Sequence, residues 1–299
     1  MAITVDSFGN MTCLWLGNDD VRLAVTTDRG PRVVCWGWRD GENLLAELPD
    51  ASLPTPNGIY FFVGGHRLWY APEALHTTYW PDNDPLTVEV IGDNSASFTA
   101  PPDGAGIVKA LLVEMSPDRP EVIVTHTLRN DGREPLHLAP WAISMCRTGG
   151  VALLPQPQRH ADPDGFLPNR HFSFWPYSDV NDPRLLPGNR LVLVQAEHGP
   201  NNKIGYRSTH GWLAYWLDGT LFSKRFDPTP AGDYPDGGCN AEVFFAANVI
   251  ELETLGPMVR LEPGGHVAHT EIWALHKAPT PVESEAQAEG LANEAGLSL

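Results

Sequence analysis

Cysteine is scarce in this 299-residue chain, and Cys13, Cys35, Cys146 and Cys239 form no CxxC pair. That removes a zinc ribbon or a dithiol redox motif; three of the four sit among apolar neighbours, as ordinary buried thiols do. Positive charge is also short: 20 Lys and Arg face 37 Asp and Glu, a formal net charge of -17. Nucleic acid and anionic membranes would be repelled at long range, so neither is expected as a partner. No window approaches the length of apolar chain that crosses a bilayer, and "MAITVDSFGNMTCLWLGN" has no basic stretch followed by a long apolar run. A cytoplasmic location is expected. GxSxG, P-loop, GxGxxG, HxH and HExxH patterns are all missing, so hydrolase-triad, nucleotide-binding and metalloprotease readings lack support.

What is present is a succession of short β-branched or aromatic runs ending at Gly, Asp, Asn or Pro, among them "VRLAVTTDRG", "PRVVCWGWRDG", "EVIVTHTLRNDG", "GWLAYWLDG" and "HVAHTEIWAL". Such runs predict an all-β fold, a large antiparallel two-sheet sandwich. One domain is expected over residues 1–280, followed by a helix or flexible tail over 281–299, where Ala and Glu dominate. Two interruptions stand out: a Pro-rich loop at 49–60, and a mostly irregular insertion at 156–190 rich in aromatic and charged side chains.

Four stretches carry candidate chemistry. In "VGGHRLWYAPE", Gly64 and Gly65 allow a sharp turn, after which His66, Arg67, Trp69 and Tyr70 follow; the plain alternative is a bulge with Arg67 paired to an acid and Trp69 in the core. In "NVIELETLGP", strand alternation places Glu251 and Glu253 on one face. That face is either solvated or part of a cleft, where repulsion and burial would raise one carboxyl pKa. "NNKIGY", "FSKRFDP" and "YPDGGCNAE" place Lys203, Lys224 and Asp236 near strand ends, and "NRHFSFWPYSD" adds Arg170, Trp175 and Tyr177. Cations beside aromatic rings suit sugar recognition, because a pyranose has apolar C–H faces and an equator of hydroxyls. Eleven histidines leave a metal reading open, with His66 and Glu253 as ligands, but no ligand spacing supports it.

With these residues in view, the chain resembles the galactose mutarotase-like (aldose 1-epimerase-like) superfamily, whose members share a large β-supersandwich. It is most similar to a bacterial branch marked by "GGHRLWYAPE", "APWAISM", "WPYSDVNDPR", "NKIGY", "YPDGGCNAE" and "IELETLGP" followed by "LEPGG", a similarity running over most of residues 10–275. The resemblance implies that Glu253, in its "LET" context ahead of Pro263 and Gly264, is the general base. It sets Arg67 against the sugar, and Asp236 is a looser match to a hydroxyl-binding aspartate.

One departure is serious: Trp141 of "HLAPWAIS" stands where the family has its general-acid histidine. Ring opening needs a base at the anomeric hydroxyl and an acid at the ring oxygen, and an indole is no such acid at neutral pH. Either His66 or another group takes the role, or the site binds without turnover. The expectation is therefore a monosaccharide or sugar-derivative site with Glu253, His66 and Arg67 catalytic. Trp69, Trp141, Arg170, Trp175, Tyr177, Lys203, Lys224, Asp236 and Glu251 would bind the substrate. No metal or organic cofactor is needed, and the protein is expected as a monomer or homodimer in carbohydrate metabolism.

Overall fold

The computed structural model describes residues 3–299. Among these residues the strands gather into an 11-stranded sheet, a 10-stranded sheet and a separate two-stranded ribbon. At the centre of the first sheet the strands Arg32–Trp38, His66–Ala71, Leu136–Cys146, Ile250–Leu255, Ala241–Phe245 and Asn202–Tyr206 lie side by side. The second sheet is centred on Thr220–Phe226, His266–Lys277, Glu121–Asn130 and Ile107–Met115. All of the recorded ladders are antiparallel, as the alternating runs predict.

The two sheets share one apolar core, with Leu68, Tyr70, Val243 and Leu252 from the first sheet and Leu111, Val124, Phe222 and Trp273 from the second. Each such fully buried side chain is worth about 1.5–3 kcal/mol of transfer free energy. Trp36 and Trp273 meet across this core with ring centroids 6.2 Å apart. The outer face of the first sheet is covered too, in a second cluster that includes Tyr60, Trp69, Trp141, Ile143 and Leu255.

Its cover includes the ribbon formed by Glu47–Thr55 and Gly58–Gly64. The Pro-rich segment at 49–60 is thus a β-hairpin and not a loop; its prolines are tolerated because a two-stranded ribbon leaves outward N–H positions unpaired. Gly64 (φ 94°) and Gly65 (φ 72°) join this hairpin to the His66–Ala71 strand, and an added Cβ would lie 2.0 Å from the Ala46 carbonyl oxygen and 2.2 Å from that of Val33. Close backbone approach therefore demands glycine at both positions.

The C-terminal segment forms the helix Glu285–Glu294, capped by the Ser284 side chain, with Ala288 and Ala292 buried against strands of the second sheet. The insertion at 156–190 is mostly irregular, with only Phe172–Phe174 and Leu185–Leu186 as strand. No helix among the described residues is long and apolar enough to cross a membrane.

Candidate functional site

Strand alternation decides which expected residues meet. Along His66–Ala71, Leu68 and Tyr70 point to the inter-sheet core, so Arg67 and Trp69 point outward while His66 points inward. Along Ile250–Leu255 the same rule sends Leu252 inward and Glu251 and Glu253 outward. The registers place Arg67 opposite Ile143, Ile143 opposite Glu253, and Glu253 opposite Glu242, so that one line of outward positions crosses four strands.

Over this line lies a cavity of about 340 Å³, with Arg67, Trp69, Trp141, Tyr177, Lys203 and Glu251 on its walls. That volume falls at the small end of ligand pockets. The Arg67 guanidinium lies 4.1 Å from the Trp69 ring centroid and reaches Glu251 Oε1 at 3.3 Å. Trp69 and Trp141 meet edge to face, 5.4 Å apart. Tyr177, half exposed, tilts onto Phe244 at 6.3 Å. Glu73 and Tyr79 complete the polar rim, the Tyr79 hydroxyl donating to Glu73 Oε1.

Behind the cavity is a buried charge cluster. Lys203 Nζ stands 2.7 Å from Glu242 Oε2 and 2.9 Å from Glu253 Oε2, and the Trp141 indole N–H donates to the same Glu253 oxygen at 2.7 Å. The ammonium also lies over the Trp141 and Trp175 rings, at 4.8 and 4.5 Å. Burial pulls Lys203 toward the neutral form, but the two carboxylates hold its pKa well above the ordinary value. Burial pushes the Glu242 carboxyl well above the carboxylate range against the pull of Lys203. Glu251 is also raised by burial, opposed by Arg67, and half-buried Asp236 is raised by burial as well. Three acceptor atoms, both Glu242 oxygens and Glu253 Oε1, make no hydrogen bond in their buried setting. The Lys203–Glu242 contact is thus close, at 2.7 Å, but without hydrogen-bond alignment.

Three expected site residues lie in neither the cavity wall nor the charge cluster behind it. His66 is fully buried between the sheets and does not reach the cavity, because the residue next to an outward arginine in a strand must point inward. Its Nδ1 contacts Ser144 Oγ at 2.9 Å and its Nε2 contacts His126 Nε2 at 2.6 Å. Since His126 Nδ1 faces the His269 carbonyl oxygen at 2.8 Å, it carries the proton, and His66 Nε2–H donates to His126. Lys224 belongs to the same inter-sheet network: its Nζ donates to the Leu252 carbonyl at 3.0 Å and pairs with Glu271 at 2.9 Å. Arg170 lies outside the cavity, its Nε donating to the Pro157 carbonyl at 3.3 Å.

His66, His126 and Glu271 place one ligand atom each within 4.8 Å of one another, a different set from His66 and Glu253. Hydrogen bonds already engage them: Glu271 receives the Trp273 indole N–H at 2.7 Å, the Thr254 hydroxyl and Lys224. The competing pairings favour a self-contained polar network. A larger cavity of about 530 Å³ lies beside the hairpin, lined by Phe8, Met11, Arg29, Glu47 and Phe61, but without convergent acids.

No protein-family model matches the chain, and no curated protein sequence does. Solved structures do. A provisionally assigned aldose 1-epimerase of Escherichia coli K12 superposes with a TM-score of 0.58 at 15% identity, over 90% of this chain and 100% of that one. A galactose mutarotase-like protein of Lactobacillus casei gives 0.54 at 12% identity, over 88% and 100%. The chain has the galactose mutarotase-like fold. A TPR-domain containing protein of Parabacteroides distasonis carries the same fold within 48% of its length (TM-score 0.63, 12% identity, 91% of this chain). The mutarotase-like fold by itself therefore leaves chemistry to the site.

Glu242 and Glu73 stand in the motifs "YPDGGCNAE" and "GGHRLWYAPE", but nothing in the linear sequence gives either a role. Glu242 matters because it lies opposite Glu253 across a strand pair, a register the linear sequence does not display.

Proposed function

We propose that the cavity binds a monosaccharide or related sugar and that the reaction it supports is ring opening and reclosure at the anomeric carbon, of the aldose 1-epimerase type. The observation that carries this reading is the Arg67–Glu251 pair set among Trp69, Trp141 and Tyr177: forked donors and an acceptor beside flat apolar rings. Rings take the C–H faces of a pyranose, and the ion pair takes its hydroxyls. The late-strand acids Glu251 and Glu253 supply the proton acceptor, with Lys203 and Asp236 as further polar groups. The names of the structural neighbours, an aldose 1-epimerase and a galactose mutarotase-like protein, point the same way.

A second reading, sugar binding without turnover, is favoured by Trp141, whose N–H occupies a Glu253 oxygen where the resemblance leads one to expect an acid. One experiment tests both. Isothermal titration with D-glucose, D-galactose and D-mannose measures binding, and exchange NMR on the same sugars measures anomer interconversion. Binding with accelerated exchange supports the first reading, and binding alone supports the second. No binding to any saccharide overturns both.

A further inference from the structure

We infer that Glu251, not Glu253, is the carboxyl that exchanges protons with a sugar in the cavity, and that Glu253 is a positioning residue behind it. This rests on the epimerase reading above and goes beyond it by moving the reacting group two residues along the strand, away from the "LET" glutamate.

Access separates the two acids. Glu253 is fully buried, is not part of the cavity wall, and has its Oε2 engaged by both Lys203 Nζ and the Trp141 indole. Glu251 is on the wall, with 11% of its side chain exposed. Its one hydrogen bond among the described residues comes from Arg67 at 3.3 Å, to Oε1, and leaves Oε2 without a protein donor. A general base must lie within hydrogen-bond reach of the proton it takes, and a ligand filling this cavity meets Glu251 first.

The replacement of the family histidine by Trp141 fits the same shift. An imidazole beside Glu253 would make an acid–base pair; an indole beside it makes a clamp, because an indole only donates. Glu253, Trp141, Lys203 and Glu242 then hold one another and fix the floor under the cavity. Burial, which raises the Glu251 carboxyl while Arg67 opposes it, brings that group toward the range useful for proton transfer at neutral pH.

The step balances with water as proton donor. Ionised Glu251 takes the anomeric hydroxyl proton, that O–H pair becomes the C1=O bond, and the bond from C1 to the ring oxygen breaks. The ring oxygen takes a proton from a cavity water, and the hydroxide left behind takes the proton from Glu251. Reclosure on the other face of the carbonyl reverses the order.

The test uses the full chain with D-glucose, D-galactose and D-mannose, comparing wild type, Glu251→Gln, Glu251→Asp and Glu253→Gln by exchange NMR across pH. Glu251→Gln is expected to lower catalysed exchange at saturating sugar by about 100-fold or more, beyond any weakening of sugar binding, with the acidic limb of the pH profile gone. Glu251→Asp should restore part of the rate. Glu253→Gln should lower the rate less and leave the shape of the profile intact.

Should Glu253→Gln fail to fold, carboxyl ¹³C NMR of the wild type supplies the second readout: added sugar shifts the Glu251 resonance and leaves that of Glu253. Loss of the acidic limb in Glu253→Gln with its survival in Glu251→Gln, or a sugar-induced shift at Glu253 alone, overturns the assignment and spares the epimerase reading. Wild-type binding without any exchange overturns the assignment and the epimerase reading together.

Discussion

The Trp141 indole N–H and the Glu253 carboxylate meet at 2.7 Å, with Lys203 Nζ on the same oxygen at 2.9 Å. Where the resemblance leads one to expect a proton donor facing a base, the chain has a closed hydrogen-bonded clamp. The clamp is buried, so its members carry stability as well as shape the cavity.

Removing the indole donor tests this directly. Trp141→Phe keeps most of the ring but leaves Glu253 Oε2 with Lys203 alone. The unfolding free energy should fall by about 1–3 kcal/mol, the cost of a lost hydrogen bond to a buried charge. Denaturant titration measures it.

Lys203→Met should be more damaging, because it leaves the Glu242 and Glu253 carboxyls buried without their cation. A loss of about 3–5 kcal/mol is expected for breaking a buried pair from one side. The triple variant Lys203→Met, Glu242→Gln, Glu253→Gln should recover part of it, since no unpaired charge remains.

The inter-sheet histidines set a pH dependence. Burial lowers the pKa of His66 and His126, and brings His269 down to about 4 from 6.5. A group with a depressed folded pKa binds fewer protons in the folded state. Its stabilising contribution is therefore complete above the unfolded value and is lost as pH falls through the folded one. Stability carried by His269 should thus drain away between pH 6.5 and about 4. The raised carboxyls of Glu242 and Glu251 act in the opposite sense, full below 4.5 and lost as pH rises. Comparison with His269→Gln isolates the histidine: between pH 7 and pH 4 the variant should lose roughly 3 kcal/mol less than the wild type in chemical unfolding.

Much of the fold was legible because short β-branched and aromatic runs closed by turn residues mark antiparallel strands, and some, such as "EVIVTHTLRN", also alternate between a buried and a less buried face. Several placements in the site were legible by the same rule. Arg67 and His66 are neighbours in a strand and cannot both face the cavity. Lys224 shares its face with Phe222 and Phe226, both in the inter-sheet core, so its direction was written in "LFSKRF". What the sequence could not display is sheet order: that Glu242 lies opposite Glu253, or that Lys203 lies within reach of both, depends on which strands pair. The 49–60 segment misled because prolines read as loop signals unless the ribbon they sit in is known to have free edges.

Whether the aromatic-walled cavity beside Arg67 and Glu251 holds a sugar is read most plainly from a crystal of the protein soaked with the best-binding monosaccharide. A pyranose is expected in that cavity, touching the Arg67 guanidinium and the Glu251 carboxyl, with a ring face on Trp69 or Tyr177. A sugar held instead in the larger cavity beside Arg29 and Phe61, with the Arg67 site left to water, would rule out the Arg67–Glu251 cavity as the sugar site.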